Sequence, residues 1–408
     1  MDFDLRPVTE EEIPTFLRCA EGAFGVQLDD EAVDIEAAAI EVDRSLAVFD
    51  GDDIVATAGA HSFELTMPGL GIAGAAGVSY VGVQPTHRRL GLLRAMMRRQ
   101  LDDVRDRGEA LAVLTASEGG IYGRFGYGPA TFVAAYEIER PTGLARGPEG
   151  TIRLVSREVA AGAFPTMYDN VRRRQPGEVG RAQPWWDSFF HDLEGRRSGA
   201  GPLFHAVRAG PGGELDGYVS YRFDRRGEGG ELDAGTVRVE ELCAAGGAAY
   251  ADLWAFVCDI DLTRSAHLRG RRLDEPVRWM LRDSRRLRLA GMQDHLWVRL
   301  VDLPASLEAR RYPVEGSIVL EVDDAFCPWN DGAWRLEAGP SGAEARSVTG
   351  DGADLLLGAG ELGSALLGGL TFSELARAGR VAERVPGAAA RADAIFGCDP
   401  PPFCATEF

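Results

Sequence analysis

Residues 79–101 read SYVGVQPTHRRLGLLRAMMRRQL, and this stretch decides the fold of the 408-residue chain. Residues 79–83 predict a strand, and Gln84 and Pro85 predict a turn after it. Apolar residues then recur every three or four positions, at Leu93, Met97, Leu101 and Val104. This period predicts a helix that ends near Gly108. Because the apolar run ALAVLTA at 110–116 predicts a buried strand, the order strand, helix, strand indicates an α/β domain.

The turn that joins this strand to the helix has the composition of an anion site. The first backbone N–H groups of a helix are unpaired and lie at the positive end of its dipole. Gly91 allows a close approach of the backbone, while Arg88, Arg89 and Arg94 add charge-assisted donors. The same residues would suit a basic helix start that faces solvent, so the turn alone does not separate the two interpretations.

The sequence Arg88-Arg89-Leu90-Gly91-Leu92-Leu93 resembles the R/Q-x-x-G-x-G/A loop of the GNAT superfamily of N-acetyltransferases. Leu93 departs from that loop, where Gly or Ala is usual. The resemblance implies an acetyl-CoA site in which the strand pairs with the pantetheine arm and the turn binds the pyrophosphate. The residues that it assigns to acetyl-CoA are Val81, Gly82, Val83, Arg88, Arg89, Leu90, Gly91, Leu92, Leu93, Arg94, Ser117 and Glu118.

A second motif, SEGGIYGRFGYGPAT at 117–131, has a tyrosine four residues before a Gly-aromatic pair, as the superfamily does on the helix after its fifth strand. Here Tyr122 precedes Gly126 and Tyr127. The resemblance implies that Tyr122 protonates the leaving thiolate, and a phenol with a pKa of about 10 can act in this way. Tyr122 could instead be a core aromatic residue. Tyr127 is the competing acid, although its spacing favours a packing role.

Nearly the whole chain resembles the enhanced intracellular survival (Eis) family of bacterial acetyltransferases. The two motifs, MYDNVRRRQPG at 167–177 and the terminal PFCATEF carry this resemblance. It implies a mixed fold, α/β (α+β), with two GNAT-like domains, the second degenerate, and a sterol-carrier-protein-like C-terminal domain. With PTGLARGPEG at 141–150 as a linker, we expect domains at 1–140, 151–290 and 291–408.

The resemblance also implies an unusual base, the C-terminal α-carboxylate, which here belongs to Phe408. Prolines at 400–402 stiffen the approach and Phe403 can anchor it, although a frayed terminus is the alternative. Ser79 and Tyr80 are expected to border the acceptor pocket, and Glu407 to hold further ammonium groups. Family members acetylate aminoglycosides and lysine side chains and assemble as hexamers, so we expect a homohexamer with a cationic amine as acceptor.

The composition narrows the classes of partner. The formal net charge is -19 and all 44 basic residues are arginine, which argues against nucleic acid. An acidic surface favours cationic partners, although acidity that serves only solubility is the alternative. The six cysteines include no CxxC pair and the six histidines no HExxH motif, so we expect no metal.

Two features bear on location. No apolar run is long enough to cross a membrane, and the acidic N-terminus lacks the layout of a signal peptide. We therefore expect a cytoplasmic protein without a membrane partner, and the sequence leaves secretion open.

Two other functions fit the sequence. The chain could acetylate protein lysines, or it could be a non-catalytic protein that binds CoA or lipid. Tyr122 beside an intact Arg/Gly loop argues against the second function. Because GRRLDEPVRWML at 270–281 lacks the glycine of a phosphate turn, we expect one acetyl-CoA site per chain, in the first domain.

Overall fold

The computed structural model describes residues 3–140, 143–224, 235–350 and 352–408. Residues 141 and 142 of the predicted linker therefore lie outside the described residues. The chain divides into two compact units. The first contains Met1–Thr131, Gln175–Gly180 and Asp294–Phe408, and the second contains Phe132–Arg174 and Arg181–Gln293.

Strands outnumber helices among the described residues. In chain order, the strands are β1 (Asp4–Pro7), β2 (Leu46–Asp50), β3 (Asp53–Thr66), β4 (Ile72–Val83), β5 (Leu111–Thr115), β6 (Gly128–Pro129), β7 (Phe132–Glu139), β8 (Thr151–Val155), β9 (Phe204–Ala209), β10 (Leu215–Asp224), β11 (Gly235–Ala244), β12 (Thr263–Arg271), β13 (Leu287–Asp294), β14 (Leu296–Leu300), β15 (Gly316–Asp323), β16 (Gly332–Gly339), β17 (Gly342–Ser347), β18 (Leu355–Gly358) and β19 (Val381–Glu383). The helices are α1 (Ile13–Gly22), α2 (Asp30–Ala37), α3 (Leu92–Asp106), α4 (Arg157–Arg172), α5 (Gln183–His191), α6 (Gly247–Asp259), α7 (Val277–Met280), α8 (Leu303–Glu308), α9 (Ala359–Leu366), α10 (Phe372–Arg377) and α11 (Ala388–Phe396).

The first unit contains a seven-stranded mixed sheet in the order β1-β2-β3-β4-β5-β14-β6. Its parallel pair is β4 with β5, joined by α3, as the strand, helix, strand pattern predicts. The predicted strand at 79–83 is confirmed as the last part of the longer β4. Strand β14 comes from far along the chain and inserts between β5 and β6 through antiparallel ladders.

Helix α3 covers this sheet with the apolar face that its sequence period predicts. Met97, Leu101 and Val104 are buried, and they pack with sheet residues such as Val78 and Leu114. Each such side chain contributes roughly 1.5–3 kcal/mol when it leaves water. The helix ends before Gly108, whose positive φ of 74° confirms the predicted stop.

The first unit also contains a five-stranded sheet in the order β17-β16-β15-β18-β19, and helix α9 links this sheet to the first. The backbone of α9 contacts the backbones of β6 and β14 at glycines. A Cβ atom on Gly128 would lie 1.8 Å from the carbonyl oxygen of Gly360, and one on Gly363 would lie 2.3 Å from that of Val298. Only glycine allows so close an approach of β6 and β14 to α9.

The second unit contains a seven-stranded sheet in the order β13-β7-β12-β11-β10-β9-β8. Strands β11 and β12 are parallel and are joined by α6, so this unit repeats the arrangement of β4, α3 and β5. The predicted fold class of two GNAT-like domains and a C-terminal domain is thereby supported at the level of topology.

The assignment of strands to the two seven-stranded sheets differs from the predicted domain boundaries. Strand β7, within predicted segment 1–140, lies in the second sheet, and β14, within predicted segment 291–408, lies in the first. The boundaries at 140 and 291 therefore stay a prediction. None of the helices in the described ranges has the length and apolar composition needed to cross a bilayer.

Candidate active site

A gap opens in the first sheet between β4 and β5. Their parallel ladder joins residues 75–77 to residues 111–113, and within the described residues it stops there. The remainder of β4, which includes Val81, Gly82 and Val83, diverges from Thr115 at the end of β5. A backbone edge without a strand partner can pair with an extended ligand, which is how the pantetheine arm was expected to bind.

A β-bulge shapes this part of β4. Thr57 pairs with Gly82 and Gly59 pairs with Ser79, so Ala58 alone faces Tyr80 and Val81. Tyr80 has a positive φ of 54°, and the Thr57 hydroxyl donates a 2.8 Å hydrogen bond to its carbonyl oxygen. The extra residue bends β4 at the two positions, Ser79 and Tyr80, that were expected to border the acceptor pocket.

The predicted phosphate turn opens helix α3. Gly91 is the N-cap in the left-handed region (φ 85°), its surroundings are open, and no side chain of the described residues caps the helix. The first N–H groups of α3 are thus available to an anion. Arg88, Arg89 and Arg94 are exposed around this turn, and Arg94 also lies over the ring of Phe326.

The apolar residues of the turn differ in their environment. Leu90 is exposed, Leu92 is buried, and Leu93, the departure from the superfamily loop, is half-buried against the core of the first sheet. Ser117 and Glu118 lie just beyond the end of β5, and both are exposed.

Tyr122 lies after β5 in a short 3-10 helix, Tyr122–Phe125, and not in a full α-helix. Four glycines between 119 and 126 disfavour a longer helix. The side chain is 6% exposed, and burial raises the pKa of Tyr122 to about 12. The hydroxyl is therefore protonated at neutral pH, and a thiolate buried beside it would also be more basic than in water.

Tyr127 lies deeper than Tyr122. Its ring meets that of Tyr122 edge to face at 6.0 Å, and burial raises the pKa of Tyr127 further above its usual range. Its hydroxyl has no hydrogen-bond partner among the described residues. This environment agrees with a packing role.

The C-terminal residue Phe408 lies at the carboxyl end of β5. The hydroxyl of Thr115 donates a 3.0 Å hydrogen bond to an oxygen of the Phe408 α-carboxylate, and the ring of Phe408 packs against Phe63 at 4.7 Å. His295 Nε2 lies 3.2 Å from the carbonyl oxygen of Thr406. Burial lowers the pKa of His295, so the neutral imidazole donates this bond. The terminus is therefore fixed and not frayed.

Aromatic rings lead from the bulge to the terminus. The ring of His61 lies 5.6 Å from that of Tyr80 and 5.6 Å from that of Phe63, which contacts Phe408. Burial lowers the pKa of His61, so this imidazole is uncharged near neutral pH. Glu407 is exposed beside the terminus. No local sequence pattern indicates a role for Thr115, His295, His61 or Phe63, because each makes its contact with a residue distant in sequence.

The second unit has a turn between a strand and a helix at the position equivalent to the phosphate turn of the first unit. The equivalent position precedes α6 and reads Ala245-Gly246-Gly247, with Gly246 as N-cap, whereas residues 270–281 follow β12. This turn carries glycines but lacks the arginines of its counterpart. Within the described residues, the first unit alone thus combines such a turn with basic side chains.

Metal-ligand side chains do not cluster in the described residues: no group of three or more His, Cys, Asp or Glu could hold an ion. The expectation that the protein uses no metal stays a prediction.

Comparisons with known proteins agree with this geometry. A family model for an acetyltransferase (GNAT) domain matches residues 4–130, and a second of the same description matches residues 177–300. A model for a sterol carrier protein domain matches residues 303–405. Together they confirm a mixed α/β fold with two GNAT domains and a C-terminal sterol-carrier-like domain.

Individual relatives cover the whole chain. An uncharacterized N-acetyltransferase of Streptomyces coelicolor is 42% identical over 99% of each chain. N-acetyltransferase Eis of Mycobacterium tuberculosis is 33% identical over 98% of each chain. The crystal structure of Eis1 from Mycobacterium abscessus superposes with a TM-score of 0.87 at 33% identity, covering 99% of this chain and 100% of that one. The chain therefore belongs to the Eis family of GNAT N-acetyltransferases and is an acetyl-CoA-dependent acyltransferase.

Proposed function

We propose that the chain transfers the acetyl group of acetyl-CoA to a primary amine of a cationic acceptor, such as an aminoglycoside or another polyamine, by direct attack. The observation that carries this proposal is the contact between Thr115 and Phe408. It lies at the end of β5, beside the gap between β4 and β5. A carboxylate fixed there is close to the place where the thioester would enter the sheet.

The α-carboxylate of Phe408 acts as the base. An ammonium group must lose a proton before its nitrogen can attack, and the carboxylate accepts that proton directly or through a water molecule. The nitrogen then forms a bond to the thioester carbonyl carbon, and the carbon–sulfur bond breaks. A backbone N–H near Val83 stabilises the negative charge that develops on the carbonyl oxygen.

Tyr122 acts as the acid and donates its phenolic proton to the departing thiolate. The resulting phenolate takes up, directly or through water, the second proton of the acylated nitrogen, which leaves a neutral amide. Its high pKa supports this role, because the proton stays on the hydroxyl until a strong base forms next to it. The open N-terminus of α3, with Arg88, Arg89 and Arg94, holds the pyrophosphate during the reaction.

Three features support a cationic acceptor. The net charge of -19 steers cations towards the protein. The rings of Tyr80, Phe63 and Phe408 line the approach to the base, and aromatic faces attract ammonium groups. Glu407 adds a carboxylate for a second ammonium group of the acceptor.

The decisive experiment adds one glycine after Phe408, which moves the carboxylate by a residue. Turnover with a polyamine should fall by about 100-fold, while the Kd for acetyl-CoA stays unchanged. A chain with one glycine added at the N-terminus is the matched control. Wild-type turnover by the C-terminally extended chain would remove Phe408 from the mechanism.

The side-chain amine of a protein lysine is a second acceptor for the same chemistry. Turnover with a lysine peptide, measured beside turnover with a polyamine, ranks the two acceptors. Binding of lipid without catalysis has less support. A cavity of about 490 Å³ in the first unit has a mixed lining, in which Trp297, Phe326 and Leu370 lie beside the charged groups of Asp324, Glu361 and Arg380. Charged groups without a polar partner would be costly beside an acyl chain.

The proposal includes a homohexamer in the cytoplasm, with neither nucleic acid nor membrane as a partner. Large apolar side chains that are exposed in the single chain support self-association, among them Trp279 at 79% exposure. All six cysteines are free thiols, which suits a reducing compartment. Light scattering would test for a particle of six 43.9 kDa chains.

A further inference from the structure

The segment Gln175–Gly180 belongs to the first compact unit, although the chain on either side of it belongs to the second. The segment runs beside the edge of β3 and is hydrogen-bonded to it. Gly177 N donates to the carbonyl oxygen of Thr66 at 2.8 Å, and Gly180 N donates to that of Glu64 at 2.8 Å. These bonds attach the segment to the end of the strand that carries Phe63.

The same segment holds the C-terminal tail on its other side. Phe403 N donates a 2.8 Å hydrogen bond to the carbonyl oxygen of Pro176. Gly177 makes this approach possible, since its φ is +92° and a Cβ atom there would lie 3.0 Å from the Phe403 carbonyl oxygen. This close contact with Phe403 explains why a glycine stands at position 177, in the sequence RQPG.

Two side chains of the segment form hydrogen bonds further along the tail. Gln175 Nε2 donates to the carbonyl oxygen of Pro401 at 2.9 Å. The carboxylate of Glu178 accepts a 3.1 Å hydrogen bond from Ala405 N, and Glu178 is 5% exposed. Because Glu178 is buried, leaving its carboxylate without this donor costs more than at an exposed site.

Ala405 lies three residues before the terminus. Beyond it, His295 binds the carbonyl oxygen of Thr406 and Thr115 binds an oxygen of the Phe408 α-carboxylate. The last eight residues are therefore fixed at intervals from both sides. A chain end is normally mobile, and a shift of about 1 Å in a reacting group can cost on the order of 100-fold in rate.

We infer that Glu178 is a positioning residue that fixes the C-terminal carboxylate through Ala405, and that Gln175–Gly180 clamps the tail against β3. The inference rests on the proposed role of Phe408 as base. Glu178 does not touch the reacting atoms. Its removal frees Ala405 and lets the terminus move away from Thr115.

The test is Glu178→Ala in the full-length chain. We expect kcat with a polyamine to fall about tenfold or more, while the KM for acetyl-CoA stays within about twofold. Carboxypeptidase should release Phe408 at least about fivefold faster, because the tail leaves its site more often. Glu178→Gln keeps a carbonyl oxygen for Ala405 N and should restore most of both values.

Glu308→Ala is the control, since Glu308 is an exposed glutamate that also accepts a hydrogen bond from a backbone N–H, that of Ala345 at 2.9 Å, which is not a residue of the tail. It should change neither kcat nor the release of Phe408. If Glu178→Ala does not fold, Gln175→Ala serves instead, because it removes a solvent-exposed hydrogen bond to Pro401 and a second one to the neighbouring Pro176.

The outcomes separate the clamp from the base. The clamp is overturned if the Glu178→Ala chain keeps wild-type kcat and wild-type release of Phe408, even when the glycine-extended chain is inactive. Gln175→Ala takes its place in this comparison if Glu178→Ala does not fold. If the glycine-extended chain is fully active, the base assignment fails, and with it the positioning role of Glu178. Loss of kcat in Glu178→Ala with unchanged release of Phe408 would also overturn the inference.

Discussion

Thr115 and Phe408 are 293 positions apart in the chain, yet the hydroxyl of Thr115 donates a 3.0 Å hydrogen bond to an oxygen of the Phe408 α-carboxylate. Thr115 is the last residue of β5, at the point where β4 has already diverged. The bond therefore ties the end of the chain to the opening of the catalytic sheet.

Thr115→Val should lower kcat about tenfold or more without changing the KM for acetyl-CoA. Valine keeps the branched shape that suits a strand but removes the donor, and a hydrogen bond to a charged group contributes about 1.5–3 kcal/mol. Steady-state kinetics with a polyamine provides the measurement. Thr115→Ser retains the hydroxyl and should stay close to wild type; equal rates for the valine and serine variants would contradict this prediction.

Tyr122→Phe should reduce turnover by about 10²–10⁴ because it removes the proton donor, while acetyl-CoA still binds. Calorimetric titration of acetyl-CoA measures binding, and thiol release measures turnover. Tyr127→Phe is the matched control. Its hydroxyl is buried and has no hydrogen-bond partner among the described residues, so its loss should leave the rate unchanged. The reverse pattern would make Tyr127 the acid.

Arg94→Ala should raise the Kd for acetyl-CoA about tenfold, since it removes a charged donor from the first turn of α3. The effect should shrink in high salt, which screens exposed charges. Arg99→Ala lies further along the same helix, where Arg99 pairs with Asp103, and should leave the Kd unchanged. Similar Kd changes in both variants would indicate a general charge effect instead of a phosphate site.

Gly128→Ala should lower the free energy of unfolding of the first unit by about 1–3 kcal/mol. The new methyl group would lie 1.8 Å from the Gly360 carbonyl oxygen and 2.4 Å from Ser364 Oγ, so β6 and α9 must separate. Urea unfolding measures the loss. Gly123→Ala, at a position with open surroundings, should change the free energy of unfolding far less. Equal stability of the two variants would mean that the junction relaxes without cost.

His295 should make the protein sensitive to acid. Burial lowers the folded-state pKa of His295, whereas in the unfolded chain the imidazole takes up its proton near pH 6.5. Between these two values the unfolded state binds more protons, so the free energy of unfolding decreases as pH falls below about 6.5. The loss ends below the folded-state pKa.

His295→Gln should remove this part of the acid sensitivity, because glutamine does not titrate. Urea midpoints at about pH 7.5 and about pH 5.5, on either side of the unfolded-state pKa, give the comparison. His61 and His205 also have lowered pKa values through burial and remain in both chains, so the informative quantity is the difference between wild type and variant. An identical drop in the two chains would exclude a contribution from His295.

Sequence was informative where the signal is local. Gly91 with its arginines and Tyr122 with the following glycines lie in short motifs, and the structure has these residues beside the same gap in the sheet. Even here the local pattern overstated one element, since the glycines shorten the helix of Tyr122 to a single 3-10 turn. The roles assigned to these residues stay predictions.

Contacts distant in sequence gave no such signal. Nothing in the residues around Glu178 or His295 indicates that each binds the terminal tail, because neither lies near it in the chain. In the second unit, residues 270–281 have the basic composition of a phosphate turn, whereas topology puts the equivalent turn at Gly246, where the residues are small and uncharged.

The insertion of β14 between β5 and β6 has a consequence for biosynthesis. Until residue 300 has left the ribosome, the edge of β5 has no strand to cover it. At about 5–20 residues per second, this interval lasts roughly 10–40 seconds after β5 is made. An uncovered, apolar strand edge invites pairing with other nascent chains. A fragment that ends before β14 should therefore aggregate, so the catalytic sheet matures only after the second GNAT domain has been translated.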